Sequence, residues 1–138
     1  MKARVKWIED MTYIAEAGSG HALVVDGPPD LGGRNLGPRP MELLLMGLGA
    51  CSAVDVVHIL KKARQPVADC EVQLEAERAP TAPKVFTAIN MHFIVIGQKL
   101  SPKHVERAVN LSAEKYCSAS IMLKTSVAIS HSFEIRAT

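Results

Sequence analysis

The three cysteines of this sequence, among them Cys51 and Cys117, are its candidates for chemistry. A cysteine thiolate can attack a peroxide to give a sulfenic acid, and a second thiol can then capture that acid as a disulfide. The alternative is that both are small buried apolar residues, as free cysteines often are. Cys70 alternates with apolar residues along a predicted strand, which favours a structural role for it.

Other features of the sequence limit the kind of chemistry that the cysteines could perform. The chain has no CxxC motif and no Cys/His cluster with the spacing of a zinc site, so we expect neither a metal nor another cofactor. The N-terminal residues carry scattered charges and no apolar segment before a cleavage site, which argues against a secretory signal and predicts a cytoplasmic protein. Thiol redox chemistry is therefore the predicted class of activity.

Two polar residues follow Cys51 at helical spacing. Asp55 is one turn beyond Cys51 on the same face, where its carboxylate would raise the pKa of the thiol unless it is paired. His58 is a further turn along, and as an imidazolium it would offset the charge of Asp55. The alternative is that Asp55 caps or pairs across a dimer and that His58 is simply half exposed.

The composition favours one globular domain over residues 1–138. Apolar residues make up 48% of the chain, which is enough for a conventional core. The formal net charge of +2 is spread along the sequence and aromatic residues are only 4%, so we expect no nucleic acid partner. The apolar stretch from Leu43 to Val54 is shorter than the roughly 20 residues of a bilayer span. It predicts a buried core helix and no membrane.

The spacing of apolar residues and turn signals predicts an α+β fold. The predicted order is three strands (3–8, 12–15, 21–25), a long loop (26–40), a long helix (41–60), a hairpin (70–77, 85–96), two helices (101–116, 118–124) and a last strand (127–135). We expect largely antiparallel sheets packed around the long central helix, with Ser118 or Ser120 capping the short helix. The long helix is apolar on nearly every face, so it should be buried on most sides, partly by a second subunit. His131, on the inward side of the last strand, is predicted to be a hydrogen-bonded core histidine.

Two segments carry a resemblance to a known family. One runs from PMEL to GACSAVDVV and contains Cys51, and the other, LSAEKYCS, contains Cys117. With these segments the chain resembles the OsmC/Ohr superfamily over nearly its whole length, and its long helix is most similar to the YhfA-like branch. The resemblance implies an intertwined homodimer with two sites at the subunit interface. It also implies that Cys51 is the peroxidatic cysteine and Cys117 the resolving one.

The resemblance further implies a cation beside the peroxidatic thiol. Cys51 lies almost three turns inside the predicted helix, beyond the reach of its N-terminal partial charge. The reductases of the superfamily supply an arginine from the N-terminal part of the chain, held by a glutamate near the start of the long helix. Arg34 and Arg39 could serve here as that arginine, or they could be solvated loop residues. Glu42 could serve as the glutamate, although alignment on Cys51 puts Met41 at its position.

Two functions remain open from the sequence. The first is a thiol-dependent peroxidase that reduces organic hydroperoxides and is itself reset by a dithiol or thiol reductant. The second is a non-catalytic dimer that binds a small apolar or thiol-containing ligand in the same apolar pocket. The pKa of Cys51 discriminates between them, because a lowered value favours turnover and a raised value favours binding.

Overall fold

The computed structural model describes all residues from Met1 to Thr138. The chain forms two compact units, Met1–Leu44 and Leu45–Thr138. It has an α+β architecture with two three-stranded sheets and one long helix, as predicted. The single domain expected over residues 1–138 stays a prediction.

The first unit is built on an antiparallel meander. Strands β1 (Ala3–Glu9), β2 (Thr12–Ala17) and β3 (Ala22–Asp26) are hydrogen-bonded in that order, which confirms the predicted three-stranded arrangement. Every residue of β1 is exposed, including the large apolar side chains of Val5 and Trp7. The meander therefore presents apolar as well as charged side chains to solvent.

A buried aspartate, Asp26, organises the long loop that follows β3. Its carboxylate accepts hydrogen bonds from the backbone N–H groups of Gly27 (2.9 Å), Arg34 (3.1 Å) and Leu36 (3.1 Å). Burial acts to raise the pKa of Asp26, but these hydrogen bonds and the charge of Arg34 outweigh it and leave the pKa below its ordinary value. The loop, which includes the 3₁₀ turn Pro29–Leu31, is thus held around an ionised carboxylate.

Helix α1 (Pro40–Lys62) begins in the first unit and continues into the second. Pro40 suits the first turn because the N–H that it lacks would have no partner there. The buried residues of α1 form a single stripe: Leu48, Gly49, Ser52, Val56 and Leu60. Within the single chain the other faces of the helix are not buried, so the prediction that a second subunit covers part of it stays a prediction. By length and composition α1 could also cross a membrane, a test that core helices of soluble proteins pass as well.

The second unit contains a mixed sheet in the order β4 (Val67–Arg78), β5 (Phe86–Gly97) and β6 (Ala128–Arg136). The antiparallel pairing of β4 with β5 confirms the predicted hairpin, and β6 lies parallel to β5. Along β4, partly buried apolar residues alternate with exposed polar ones, as the sequence predicts. Strand β5 carries much of the core, with Phe93 fully buried.

Residues 98–127 cross from β5 to β6 through three helical segments. These are helix α2 (Pro102–Leu111), a π-helical turn (Ser112–Tyr116) and helix α3 (Ser118–Leu123). Cys117 is the N-cap of α3, and its sulfur accepts a hydrogen bond from the N–H of Ser120 at 3.4 Å. The prediction that Ser118 or Ser120 caps α3 is wrong, because the extended backbone of Cys117 (φ −72°, ψ 103°) puts a thiol where a serine hydroxyl usually stands.

Candidate functional site

Helix α1 carries Cys51 and Asp55 one turn apart on the same face, next to its buried stripe. Both residues are partly exposed, whereas Ser52 between them is fully buried. A hydroxyl buried in an apolar helix needs a hydrogen-bond partner, because an unsatisfied polar group is costly to bury. The partner that the structure supplies is the second cysteine.

The π-helical turn Ser112–Tyr116 places Cys117 against α1. The N–H of Cys117 donates to the carbonyl of Ser112 at 2.9 Å, a five-residue spacing that widens the turn. The side chain of Ser112 donates to Oδ2 of Asp55 at 3.2 Å, and Cys117 itself is fully buried. One turn of chain thus places both a thiol and a hydroxyl against α1.

Cys51, Asp55 and Cys117 form what we term the dithiol cluster. Their two sulfur atoms and a carboxylate oxygen all lie within 4.8 Å of one another. The hydroxyl of Ser52 donates to Sγ of Cys117 at 3.2 Å, and the hydroxyl of Ser118 lies 3.9 Å from Sγ of Cys51. The structure therefore brings together the two cysteines that the sequence singles out, together with Asp55.

The thiol of Cys51 is more acidic than an ordinary cysteine. Burial acts to raise its pKa, but hydrogen bonds from the backbone N–H of Ala119 and from the side chains of Cys117 and Ser118 outweigh burial, and the pKa is lowered. The charge of Asp55 acts in the opposite direction, as its position in the sequence predicts. The groups that lower the pKa are thus hydrogen-bond donors on the segment that follows the π-helical turn.

The thiol of Cys117 is less acidic than an ordinary cysteine. Burial raises its pKa, and the sulfur of Cys51 adds to this effect, although hydrogen bonds from Ser52 and Ser120 act to lower it. The two sulfurs therefore have different protonation preferences. Of the two thiols, that of Cys51 therefore loses its proton more readily than that of Cys117.

The arginines proposed from the sequence make ion pairs within the first unit. Arg39 pairs with Glu42 at 3.2 Å, and hydrogen bonds from the backbone and side chain of Arg39 lower the pKa of Glu42. Arg34 pairs with Glu9 at 3.0 Å and with Asp10 at 3.5 Å. The structure thus joins Arg39 to Glu42 and gives Arg34 a different pair of acidic partners.

A cleft of about 570 Å³ opens beside the dithiol cluster. Its lining mixes basic, acidic, aromatic and apolar side chains, among them Asp55, His58, Lys62, Arg107, Leu111 and Tyr116. His58 is exposed at this cleft, while Asp55 belongs to both the cleft and the cluster. A small molecule held in the cleft would therefore contact Asp55, the residue that the cleft shares with the dithiol cluster.

Three serines contribute to the site and were missed by sequence reasoning: Ser52, Ser112 and Ser118. For Ser52 a signal exists in the sequence, since it is a hydroxyl in the most apolar stretch of the chain. For Ser112 and Ser118 no local signal exists, because their contacts depend on the π-helical turn that packs against α1.

Two other residues take the structural roles that the sequence favours. Cys70 lies partly buried on β4, and burial together with the charge of Asp69 raises the pKa of its thiol. Nε2 of His131 is hydrogen-bonded to Oδ1 of Asn110 at 3.0 Å, as expected for a partly buried histidine. Cys70 consequently serves as an internal control for experiments on the dithiol cluster.

Comparison with known proteins identifies the family. The family of OsmC-like proteins matches residues 32–132. Protein YhfA of Escherichia coli (strain K12) is 53% identical over 135 residues, which cover 98% of each chain. The crystal structure of a hypothetical protein from Aquifex aeolicus is 34% identical with a TM-score of 0.88, over 99% of this chain and 96% of that one.

A more distant structure has a name that refers to a function. It is the crystal structure of an organic hydroperoxide resistance protein from Legionella pneumophila, which is 21% identical with a TM-score of 0.72, over 96% of this chain and 95% of that one. At this identity the likeness shows a common fold. The match to the family model and the identity with YhfA show that the chain belongs to the family of OsmC-like proteins.

Proposed function

We propose that the protein is a thiol-dependent peroxidase that reduces organic hydroperoxides through Cys51 and Cys117. The observation that carries this proposal is the proximity of the two sulfurs, one partly exposed and the other buried, within 4.8 Å. The shared fold with an organic hydroperoxide resistance protein supports the class of substrate. Together these observations favour a peroxidatic thiol with a resolving thiol already beside it.

The proposed reaction has two chemical steps, followed by reduction of the disulfide. The Cys51 thiolate attacks the distal oxygen of the hydroperoxide, so that an S–O bond forms while the O–O bond breaks, and the leaving alkoxide takes up a proton to become the alcohol. The sulfur of Cys117 then attacks the Cys51 sulfenic acid, the disulfide forms, and the hydroxyl departs as water. Two thiols have been oxidised and one hydroperoxide reduced. A dithiol or thiol reductant restores both thiols by exchange.

Burial assigns the two cysteines to different roles in this scheme. Cys51 is partly exposed, so a hydroperoxide can reach it, whereas Cys117 is fully buried and shielded from a bulky substrate. Ser52 holds the Cys117 sulfur against the middle of α1. In the resolving step the two sulfurs would close from within 4.8 Å to about 2 Å, the length of a disulfide bond.

One observation favours the second function, ligand binding without turnover. The Asp55 carboxylate lies in the dithiol cluster and repels a thiolate at Cys51, which opposes the first chemical step. Asp55 also lines the adjacent cleft, whose volume is in the range that small ligands occupy. A non-catalytic dimer that binds a small apolar or thiol-containing ligand is thus the competing proposal.

We also propose that the functional form is a homodimer. Helix α1 is strongly apolar, yet its buried residues are only Leu48, Gly49, Ser52, Val56 and Leu60. Met46 and Val54 on this helix are more than half exposed. Monomeric soluble proteins rarely expose so continuous an apolar surface, and a second copy of the chain would cover it.

Thiol consumption tests the proposed reaction. Reduced protein is mixed with cumene hydroperoxide or with hydrogen peroxide, and free thiols are counted over time in the wild type and in Cys51→Ser, Cys117→Ser and Cys70→Ser variants. We expect two thiols per chain to be lost, faster with cumene hydroperoxide. Cys51→Ser should slow this loss at least about a hundredfold, as expected when the nucleophile is removed.

The remaining variants separate the roles. Cys117→Ser should stop at a trappable sulfenic acid on Cys51, and Cys70→Ser should behave as the wild type. If the wild-type thiols react no faster than free cysteine, the peroxidase proposal fails and the ligand-binding dimer is favoured.

A further inference from the structure

We propose that the reduced dithiol cluster is a binding site for a thiophilic divalent cation of the zinc class, with Cys51, Asp55 and Cys117 as its ligands. The chemistry of these side chains is that of a zinc site, because zinc binds cysteine sulfur and carboxylate oxygen together. Their spacing along the sequence gives no sign of this, since the three residues come from two separate segments. The inference stands independently of the proposed peroxidase activity.

The distances suit one cation held by all three residues. Two sulfurs bound tetrahedrally to one zinc ion lie about 3.8 Å apart, since each Zn–S bond is about 2.3 Å. The ligand atoms here all lie within 4.8 Å of one another. Side-chain rotations that move each atom by about 1 Å or less would therefore complete the site.

The groups behind the ligands are those that a thiolate metal site requires. Sulfur of Cys117 accepts hydrogen bonds from the Ser52 hydroxyl (3.2 Å) and from the N–H of Ser120 (3.4 Å). The carboxylate of Asp55 accepts one from Ser112 at 3.2 Å. Such partners orient metal ligands and leave their metal-binding lone pairs free.

The same contacts explain why a bound cation would stabilise the negative charge of the dithiol cluster. The donors that touch the cluster are neutral hydroxyl and backbone N–H groups, so they do not neutralise a carboxylate placed against two sulfurs. A divalent cation between Asp55 and the sulfurs would convert their repulsion into attraction. The position of Asp55 works against a bare thiolate at Cys51 but suits a metal site.

The ligand set also selects the kind of cation. Magnesium and calcium take oxygen ligands in larger numbers than this cluster can supply. Two sulfurs with one carboxylate favour zinc, cadmium and other thiophilic ions, and a fourth position is left for water or for a ligand in the cleft. Because both sulfurs are needed, cation binding and the Cys51–Cys117 disulfide exclude each other.

Cadmium and zinc binding to the reduced full-length protein test this inference. Cadmium is followed by the ultraviolet charge-transfer band of the Cd–thiolate bond, and zinc by competition with a coloured chelator. We expect one ion per chain and no binding by the oxidised wild type. Cys117→Ser and Asp55→Asn should weaken binding by about 10- to 100-fold, whereas Cys70→Ser should leave it unchanged. Thermal unfolding and thiol counts confirm that each variant is folded.

Two outcomes would overturn the inference. One is that the reduced wild type, with all its thiols free, shows no Cd–thiolate band. The other is that Asp55→Asn binds as tightly as the wild type, which would leave only a dithiol. Hydroperoxide reactivity is measured separately, in the presence of a chelator. Reactive thiols without cation binding therefore contradict this inference alone, and cation binding with unreactive thiols contradicts the peroxidase proposal alone.

Discussion

Small hydroxyl side chains do as much as the cysteines to define the dithiol cluster. Ser52 fixes the sulfur of Cys117, and Ser118 contacts that of Cys51. Both serines donate or accept without adding charge, so they orient the sulfurs while leaving them chemically available. The two thiols therefore differ in acidity through hydrogen bonding and burial, with Asp55 opposing the effect at Cys51.

Substitution of Ser52 measures how much its hydrogen bond to Cys117 contributes to the stability of the fold. Ser52→Ala removes the buried donor to Cys117, so the free energy of unfolding should fall by about 1 kcal/mol, the usual net value of such a hydrogen bond. Urea denaturation of the reduced protein gives the value. Ser126→Ala, at an exposed turn position, is the matched control and should change it by less than about 0.5 kcal/mol. Equal effects of the two substitutions would contradict a structural role for the Ser52 hydroxyl.

Secondary-structure elements differ in how far the sequence predicts them. Strand β4 and its hairpin with β5 are predictable because one face of β4 is exposed to solvent. Apolar and polar residues therefore alternate along its sequence. The start of α1 is predictable from Pro40. The cap of α3 and the π-helical turn are not, because they depend on packing of the turn against α1.

The residues of the candidate site likewise differ in how far the sequence predicts them. Cys51 and Cys117 can be named as a pair from the family resemblance, but not from the chain alone. Their proximity to Asp55, and the hydrogen bonds of Ser52 and Ser112, arise only when the crossover 98–127 lies against α1. The sequence of each segment alone does not show which other segment it will contact in the folded chain.

The loop held by Asp26 should make the stability of the protein depend on pH. Its pKa is lowered in the folded state, so this carboxylate contributes its full stability above the ordinary value of 3.8 and loses that contribution as the pH falls through the folded value. Melting temperatures of the wild type and of Asp26→Asn, measured from pH 7 down to pH 3, check this. The wild type should be the more stable at pH 7, and its advantage should shrink on acidification. An advantage that is constant with pH would contradict the prediction.

At the scale of the whole molecule, the exposed face of α1 predicts self-association. Light scattering coupled to size-exclusion chromatography should give the mass of a dimer for the wild type without detergent. Val54→Glu places a charge on the apolar face and should shift the mass to that of a monomer, because burying an unpaired charge is unfavourable. Ser126→Glu, which adds the same charge at an exposed turn, should remain dimeric. A monomeric wild type would contradict the proposal.

The parallel pairing of β6 with β5 puts Cys117 in a crossover connection between the two strands. A parallel neighbour cannot be reached by a tight turn, so the whole segment that carries Cys117 must first fold across the hairpin. Contacts between residues so distant in sequence slow folding, because closing the long loop between them costs entropy. The hydrogen bond between His131 and Asn110 then ties the last strand to α2. Because Cys117 is fully buried only when this crossover is in place, its protection from thiol reagents would report that the crossover has folded against α1.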